Sequence, residues 1–240
     1  MKNSNVFMIK RITYLFMIFF LLISCQQEDL LKRNAVGFLS LENVTVAASD
    51  VNAVHTKAEV DARFMIEIWK GGALYDNCKY EPGEIPSKIE LPAGSYLLKA
   101  YTPNYASMET VFAEGNLGEA VYYKEQAFVI EAEKVTYPAV SVPMINFGIC
   151  LKDDLPSGFN DYTLDATIGN RTITLKPAEI GYFPISAIGS TLTFSLNAIN
   201  ADGESLDTKE TATNLRAGTM YEIVYSMATK SLDCEVLNKD

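Results

Sequence analysis

The chain has 240 residues, with 30 acidic against 20 basic side chains, one histidine and a net charge of −10. That balance excludes nucleic acid as a partner, because phosphate binding needs a basic footprint that this sequence lacks. With 48% hydrophobic residues, it can fill proper cores without a disulfide framework.

The first segment is a targeting signal. Lys2, Lys10 and Arg11 precede an uncharged run from Ile12 to Ile23 that ends in Leu22-Ile23-Ser24-Cys25. A positive start, an apolar stretch and a small residue before cysteine mark a lipoprotein processing site, not a fold element. As a helix the run would extend about 18 Å, against roughly 30 Å of bilayer hydrocarbon, so it is too short for a permanent span. Residues 1–24 are therefore expected to be a removed signal peptide. Cys25 is expected to carry the lipid, and the partner there is the membrane, with about 0.8 kcal/mol gained per buried acyl CH₂. Loss of three cations takes the net charge from −10 to −13. Residues 25–35, opening with the polar and acidic Gln26-Gln27-Glu28-Asp29, form a solvated tether that reaches at most about 35–40 Å.

The remaining roughly 205 residues read as strands. Phe64, Ile66 and Ile68 alternate with Arg63, Met65 and Glu67, the period of a half-buried strand. Parity puts Trp69, the sole tryptophan, with Met65 and Glu67. It is either an exposed platform for a sugar or a protein anchor, or a strand-end residue packed under a loop before Gly71-Gly72. Tyr122-Tyr123 carries the same pair of readings. The polar stretches Ala106 to Glu119 and Thr208 to Asn214 are expected to be loops or short helices. Leu164, Ala166 and Ile168 alternate with threonine and aspartate, and Gly169-Asn170 then precedes Arg171-Thr172-Ile173-Thr174-Leu175, the pattern of a tight hairpin. Leu192, Phe194 and Leu196 repeat the alternation before a turn at Asn200-Ala201-Asp202-Gly203.

Leu91-Pro92-Ala93-Gly94-Ser95-Tyr96 is echoed by Leu215-Arg216-Ala217-Gly218-Thr219-Met220-Tyr221, each a turn feeding an aromatic-rich strand. In the second copy Tyr221, Ile223, Tyr225 and Met227 share one face. The fold class is all-β, and short strands separated by turns favour Ig-like β-sandwiches; if the echo marks the same position in two tandem domains, they lie at 36–145 and 146–240.

Catalytic chemistry is not legible. His55 lies in a polar stretch with no matched nucleophile nearby, and no phosphate loop, zinc-protease motif or EF-hand loop occurs. Asp153-Asp154 and Asp161 with Asp165 read as solvated loop carboxylates. After lipidation, Cys78, Cys150 and Cys234 remain, an odd number without zinc spacing; they read as buried thiols, with one bridge as the alternative. No cofactor, no metal and no enzymatic activity are expected.

The lipobox, Gly37-Phe38-Leu39-Ser40-Leu41, Phe64-Met65-Ile66-Glu67-Ile68-Trp69, Ile89-Glu90-Leu91-Pro92-Ala93-Gly94-Ser95-Tyr96 and Asp161-Tyr162-Thr163-Leu164 together resemble a family of Bacteroidetes lipoproteins similar to the fimbrillin-like, type V pilus adhesins. The acidic tether likewise resembles the surface-export signal of such lipoproteins. The resemblance implies two tandem transthyretin-like β-sandwiches in a lipid-anchored protein of the outer membrane, exposed at the cell surface. It implies a non-enzymatic fimbrial or adhesin-type subunit or anchor, working through β-strand-mediated assembly or adhesion. Other fimbrial subunits and host or bacterial surface ligands are the implied partners. Carried over from the resemblance, Arg33 is the candidate site of proteolytic maturation, and the segment from Val36 to Ala48 is the removable strand. Only Asn238, Lys239 and Asp240 follow Leu237, which points to an anchor, tip or stand-alone adhesin rather than a repeating stalk. The alternative reading is a glycan-binding surface lipoprotein of a polysaccharide-uptake system, with Trp69 as its platform.

Overall fold

The computed structural model describes residues 35–46, 63–152, 155–156, 158–159 and 161–237. The protein is all-β and divides into two compact units. Among the described residues, the smaller contains 35–42, Pro86–Tyr96 and Ala127–Pro138; the larger contains 43–46, 63–85, Leu97–Gln126 and those from Ala139 onward. In the smaller unit, strand β1 (Val36–Leu39) lies in a three-stranded sheet. In the larger, β2 (Val44–Val46) pairs in parallel with β9 (Val140–Val142).

Strands of the larger unit follow the alternation of their side chains. Phe64, Ile66 and Ile68 are fully buried on one side of β3 (Met65–Lys70); on the other side Met65 is buried too, whereas Glu67 and Trp69 are half-buried. The chain reverses through Gly71 and Gly72, at φ +60° and +86°, into β4 (Ala73–Tyr80). Two successive positive-φ positions suit a tight hairpin. Nothing lies within 4 Å of a Cβ added at either glycine, so the requirement is conformational. On its other side β3 pairs with β6 (Gly94–Tyr101), and β7 (Tyr123–Ile130) completes the order β4-β3-β6-β7. The β3–β4 register shifts between Glu67 and Trp69, a local irregularity that re-aims side chains.

Beyond Asn146 the chain builds two four-stranded sheets around one core. The first joins β10 (Phe147–Leu151), β13 (Ile180–Phe183), β16 (Thr219–Ser226) and β17 (Ser231–Val236) in the order β13-β10-β16-β17, with β10 and β16 parallel. The second joins β11 (Asp161–Ile168), β12 (Arg171–Leu175), β14 (Leu192–Ile199) and β15 (Ser205–Ala212) in the order β12-β11-β14-β15. Leu164, Leu196, Ile149 and Ile223 meet inside with no exposed surface, each contributing about 1.5–3 kcal/mol relative to exposure. Phe147 stacks on Phe183 at 5.5 Å and meets Tyr221 edge-on at 6.0 Å. The expected hairpin joins β11 to β12 through Gly169, at φ +57°. At the expected turn before β15, Asn200 Oδ1 accepts the Asp202 and Glu204 amides.

Two expectations are corrected. Thr208 to Asn214 is not a loop over its first part, because β15 runs to Ala212 in register with β14. It is an edge strand exposed along most of its length, so no apolar alternation marks it. Met227 does not share the buried face of Tyr221, Ile223 and Tyr225. Strand β16 ends at Ser226, and Met227 is among the most exposed large hydrophobics.

The echoed turns have a common device. Tyr96 donates its hydroxyl to the Pro92 carbonyl at 2.8 Å, while the Tyr221 hydroxyl accepts the Arg216 amide at 2.9 Å. In each case an aromatic from the following strand pins the turn that feeds it.

Between β6 and β7, a 3-10 turn (Pro103–Ser107) leads into helix α1 (Met108–Val111), matching the expected short helices. Two polar side chains fasten the segment between α1 and the last sheets. Arg171 Nη1 donates to the Phe112 and Ala113 carbonyls at 2.8 and 3.0 Å, and Nη2 to those of Asn116 and Tyr182 at 2.7 and 3.3 Å. Buried Asn146 accepts the Val121 amide at 2.9 Å through Oδ1 and donates through Nδ2 to the Glu119 carbonyl at 2.9 Å, while its own carbonyl takes the Gly218 amide. Removing Asn146 leaves the buried Val121 amide without this partner, at about 1–3 kcal/mol, whereas Arg171 holds half-buried and exposed carbonyls, each bond contributing about 0.5–1.5 kcal/mol net. Arg171→Met and Asn146→Ala are each expected to lower stability by roughly 2–4 kcal/mol, read as a shift of the urea midpoint followed by circular dichroism; unchanged midpoints would contradict this role.

Candidate functional site

In the smaller unit β1 is the middle strand of the order β5-β1-β8, antiparallel to β5 (Ile89–Pro92) and parallel to β8 (Val135–Thr136). Main-chain bonds hold it on both sides. The Ala93 amide donates to the Ala35 carbonyl at 2.7 Å, and the Glu133 amide to the Val36 carbonyl at 2.7 Å. Phe38 and Ser40 donate their amides to the Lys134 and Thr136 carbonyls at 2.8 and 2.9 Å. Leu39 and Leu41 are buried, Phe38 is half-buried and Val36 is exposed. With β1 absent, β5 and β8 would each present an unpaired edge, which is a template for another strand.

Gly37 sits close against the neighbouring turn. A Cβ at that position would lie 2.1 Å from the Glu131 carbonyl oxygen, 2.9 Å from Ile130 Cγ2 and 3.0 Å from the Lys134 carbonyl oxygen. Two of the three obstacles are main chain, in a turn that Glu133 makes at φ +61° and that the Lys134 amide closes onto the Glu131 carbonyl at 3.3 Å. The glycine is there for space.

A second cluster lies on β3, β6 and β7 in the larger unit. Trp69 Nε1 donates to Glu67 Oε2 at 2.8 Å, Tyr101 donates its hydroxyl to Glu67 Oε1 at 2.6 Å, and Lys79 is 3.7 Å from the same oxygen. Lys99 Nζ stands 4.0 Å from the indole centroid and 3.1 Å from Glu125 Oε1. Tyr105 stacks on Tyr123 at 4.3 Å, and Tyr123 donates to Glu125. The parity reading is upheld in that Trp69 and Glu67 share a face. The indole N–H is already used, and one ring face lies under an ammonium. Of the paired tyrosines, Tyr122 is core and Tyr123 is half-buried.

Burial pulls the Glu67 carboxyl upward, but the hydrogen bonds from Tyr101 and Trp69, with Lys79 and Lys99 nearby, outweigh it and leave the carboxyl below its ordinary range. Burial, then the bond to Glu67, raises Tyr101; burial, then Glu125, raises Tyr123.

Cys78, Cys150 and Cys234 are free and half-buried. Cys234 pairs with Ile223 across β16–β17 and packs against the core, whereas Cys150 lies beside Glu222, the adjacent residue along β16. Successive strand residues point to opposite faces, so these two thiols cannot meet. Burial raises both, Cys234 to about 11. Among the described residues no group of three or more His, Cys, Asp or Glu could hold a metal ion, and no helix is long and apolar enough to cross a membrane. Asp165 accepts the Thr174 hydroxyl at 2.6 Å. Cys25, Arg33, His55, Asp153 and Asp154 lie outside the described residues, as does the side chain of Asp161.

The family described as Domain of unknown function (DUF4493) matches residues 35–235. The chain belongs to that family. No curated protein matches it. Among solved structures, this DUF4493 chain is similar to the tip fimbrial protein Mfa3 from Porphyromonas gingivalis, with a TM-score of 0.45 and 7% identity over 84% of this chain and 98% of that one. A candidate cell adhesion protein from Bacteroides ovatus gives a TM-score of 0.45 at 10% identity, over 84% and 95% of the two chains. One from Bacteroides eggerthii gives 0.41 at 11%, over 85% and 95%. The fimbrial and adhesive roles in those names belong to those proteins.

Two measurements check the local chemistry. Glu67→Gln is expected to cost about 1–2 kcal/mol at pH 7, because it weakens charge-assisted bonds to Tyr101 and Trp69. The depressed carboxyl contributes stability above its ordinary pKa of 4.5 and loses it as pH falls through the lower folded value. The gap between variant and wild type should therefore narrow as pH falls below 4.5 and through the lower folded value; a gap that stays constant as the carboxyl is protonated would refute the assignment. In native protein at pH 8, Cys150 and Cys234 are expected to react with iodoacetamide more slowly than after unfolding, because raised pKa values leave little thiolate; equal rates would overturn this.

Proposed function

We propose that this DUF4493 chain is a non-enzymatic, lipid-anchored subunit at the bacterial cell surface, of the fimbrial or adhesin type, that joins partners by exchanging a β-strand. The observation that carries this reading is the position of β1 between β5 and β8, bonded through the main chain on both edges. Such a strand can be replaced by any segment that restores the same bonds, with alternate side chains supplying selectivity. Its start lies three residues after Arg33, the maturation site implied by the sequence resemblance. The lipobox ending at Cys25 supports a membrane anchor upstream of it.

In this reading Cys25 holds the protein at the outer membrane, cleavage after Arg33 frees β1 from the anchor, and departure of β1 opens the edges of β5 and β8. Deleting the gene is expected to remove or shorten surface filaments, or to reduce attachment to host or bacterial surfaces; unchanged filaments together with unchanged binding would refute the reading. Arg33→Ala is expected to abolish the cleaved form in outer-membrane fractions analysed by mass spectrometry, whereas an identical set of fragments would exclude Arg33 as the processing site.

A further inference from the structure

We infer that the slot occupied by β1 selects its strand by a glycine: it accepts an extended segment with glycine at the position of Gly37 and aliphatic residues two and four places later, and rejects the same segment with any side chain at the first position. The inference rests on the proposed exchange of β1, and it adds the identity of the strand that fits.

Three observations carry it. First, Gly37 has an ordinary backbone conformation, absent from the positive-φ positions, so an L-residue there would suffer no φ strain. The exclusion is steric. Second, the obstacles cannot yield cheaply. The nearest is the Glu131 carbonyl oxygen, 2.1 Å from the added Cβ, and the third is the Lys134 carbonyl oxygen at 3.0 Å. The turn bearing both is fixed by the Lys134 amide on the Glu131 carbonyl, and it also supplies the Lys134 carbonyl that receives the Phe38 amide and the Glu133 amide that reaches the Val36 carbonyl. Moving the turn to admit a methyl group would break the bonds that seat the strand. Third, the remaining positions differ in what they demand. Leu39 and Leu41 are buried, so they require aliphatic side chains, while exposed Val36 makes little demand. The parallel pairing to β8 and antiparallel pairing to β5 set the direction of the incoming segment. The occupant is therefore a strand of a neighbouring subunit with a glycine, then alternate aliphatics; the β1 sequence Ala35–Glu42 is its probe.

Full-length mature protein carrying Gly37→Ala would be compared with wild type and Val36→Ala by amide hydrogen exchange, then mixed with synthetic peptides of residues 35–42 containing either glycine or alanine at position 37. Gly37→Ala is expected to lose protection at Glu133, whose amide bonds to β1, while Val36→Ala keeps it. The glycine peptide should restore that protection at a concentration at least about tenfold lower than the alanine peptide. If Gly37→Ala does not fold, the two peptides are supplied during refolding, and recovery with glycine alone supports the inference. Retained protection at Glu133 in Gly37→Ala, equal action of the two peptides, or action of neither overturns it. Peptide selectivity in a strain whose filaments and adhesion survive deletion of the gene would leave the slot's preference standing and sink the fimbrial reading instead.

Discussion

A strand in the middle of a sheet has main-chain donors and acceptors on both edges, and each must be paired or lose the stability that pairing supplies. Strand β1 meets this condition with β5 on one side and β8 with its preceding turn on the other. It is only four residues long, so few bonds hold it, yet those bonds also complete the sheet around it. A short strand in such a position is easier to replace than a long one, and its loss exposes a defined recess instead of a disordered surface. Gly37 gives the recess a shape, because the turn from Glu131 to Lys134 leaves no room for a side chain.

The larger unit is built for the opposite quality. The two sheets beyond Asn146 close on one core of buried aliphatic and aromatic side chains. Arg171 binds four main-chain carbonyls with all four Nη hydrogens, and Asn146 ties the residues before β7 to those entering the last sheets. Neutral carbonyl partners for a guanidinium give orientation without the desolvation of an opposing charge. The polar aromatic cluster around Glu67 is satisfied internally in the same way: every polar group that defines it already has a neighbour among Trp69, Tyr101, Lys79, Lys99 and Glu125. The strand proposed to exchange and the residues of this core are separate parts of the chain.

Much of this was visible in the residues. A sheet with one buried face imposes a period of two, which is why Phe64 to Ile68, Leu164 to Ile168 and Leu192 to Leu196 could be placed as strands with the correct inner side. The Gly169-Asn170 hairpin was legible because turn chemistry is local. Strand β15 was not: Thr208, Lys209 and Glu210 lie on an exposed edge where no alternation is required. Nor was the pairing of β1 with β8, since contact between segments nearly a hundred residues apart leaves no local pattern. Arg171 escaped for the same reason, its partners being main-chain groups whose position a sequence does not advertise. The Trp69–Glu67 bond could have been found, because residues two apart on a strand share a face. Of the two readings of Trp69, the exposed platform rested on parity alone, without the Lys99 that the neighbouring strand brings over the ring.

Strand exchange requires β1 to leave its slot. Phe38 and Glu90 face each other across β1 and β5, and side chains directly opposite in an antiparallel pair lie about 4.5–5.5 Å apart at Cβ, close to the spacing a disulfide spans. A Phe38→Cys, Glu90→Cys protein locked by oxidation would be compared with its reduced form for self-association and for incorporation into surface assemblies. The oxidised protein is expected to stay folded but not to assemble, and reduction is expected to restore assembly; equal assembly in the two states would contradict the exchange of β1.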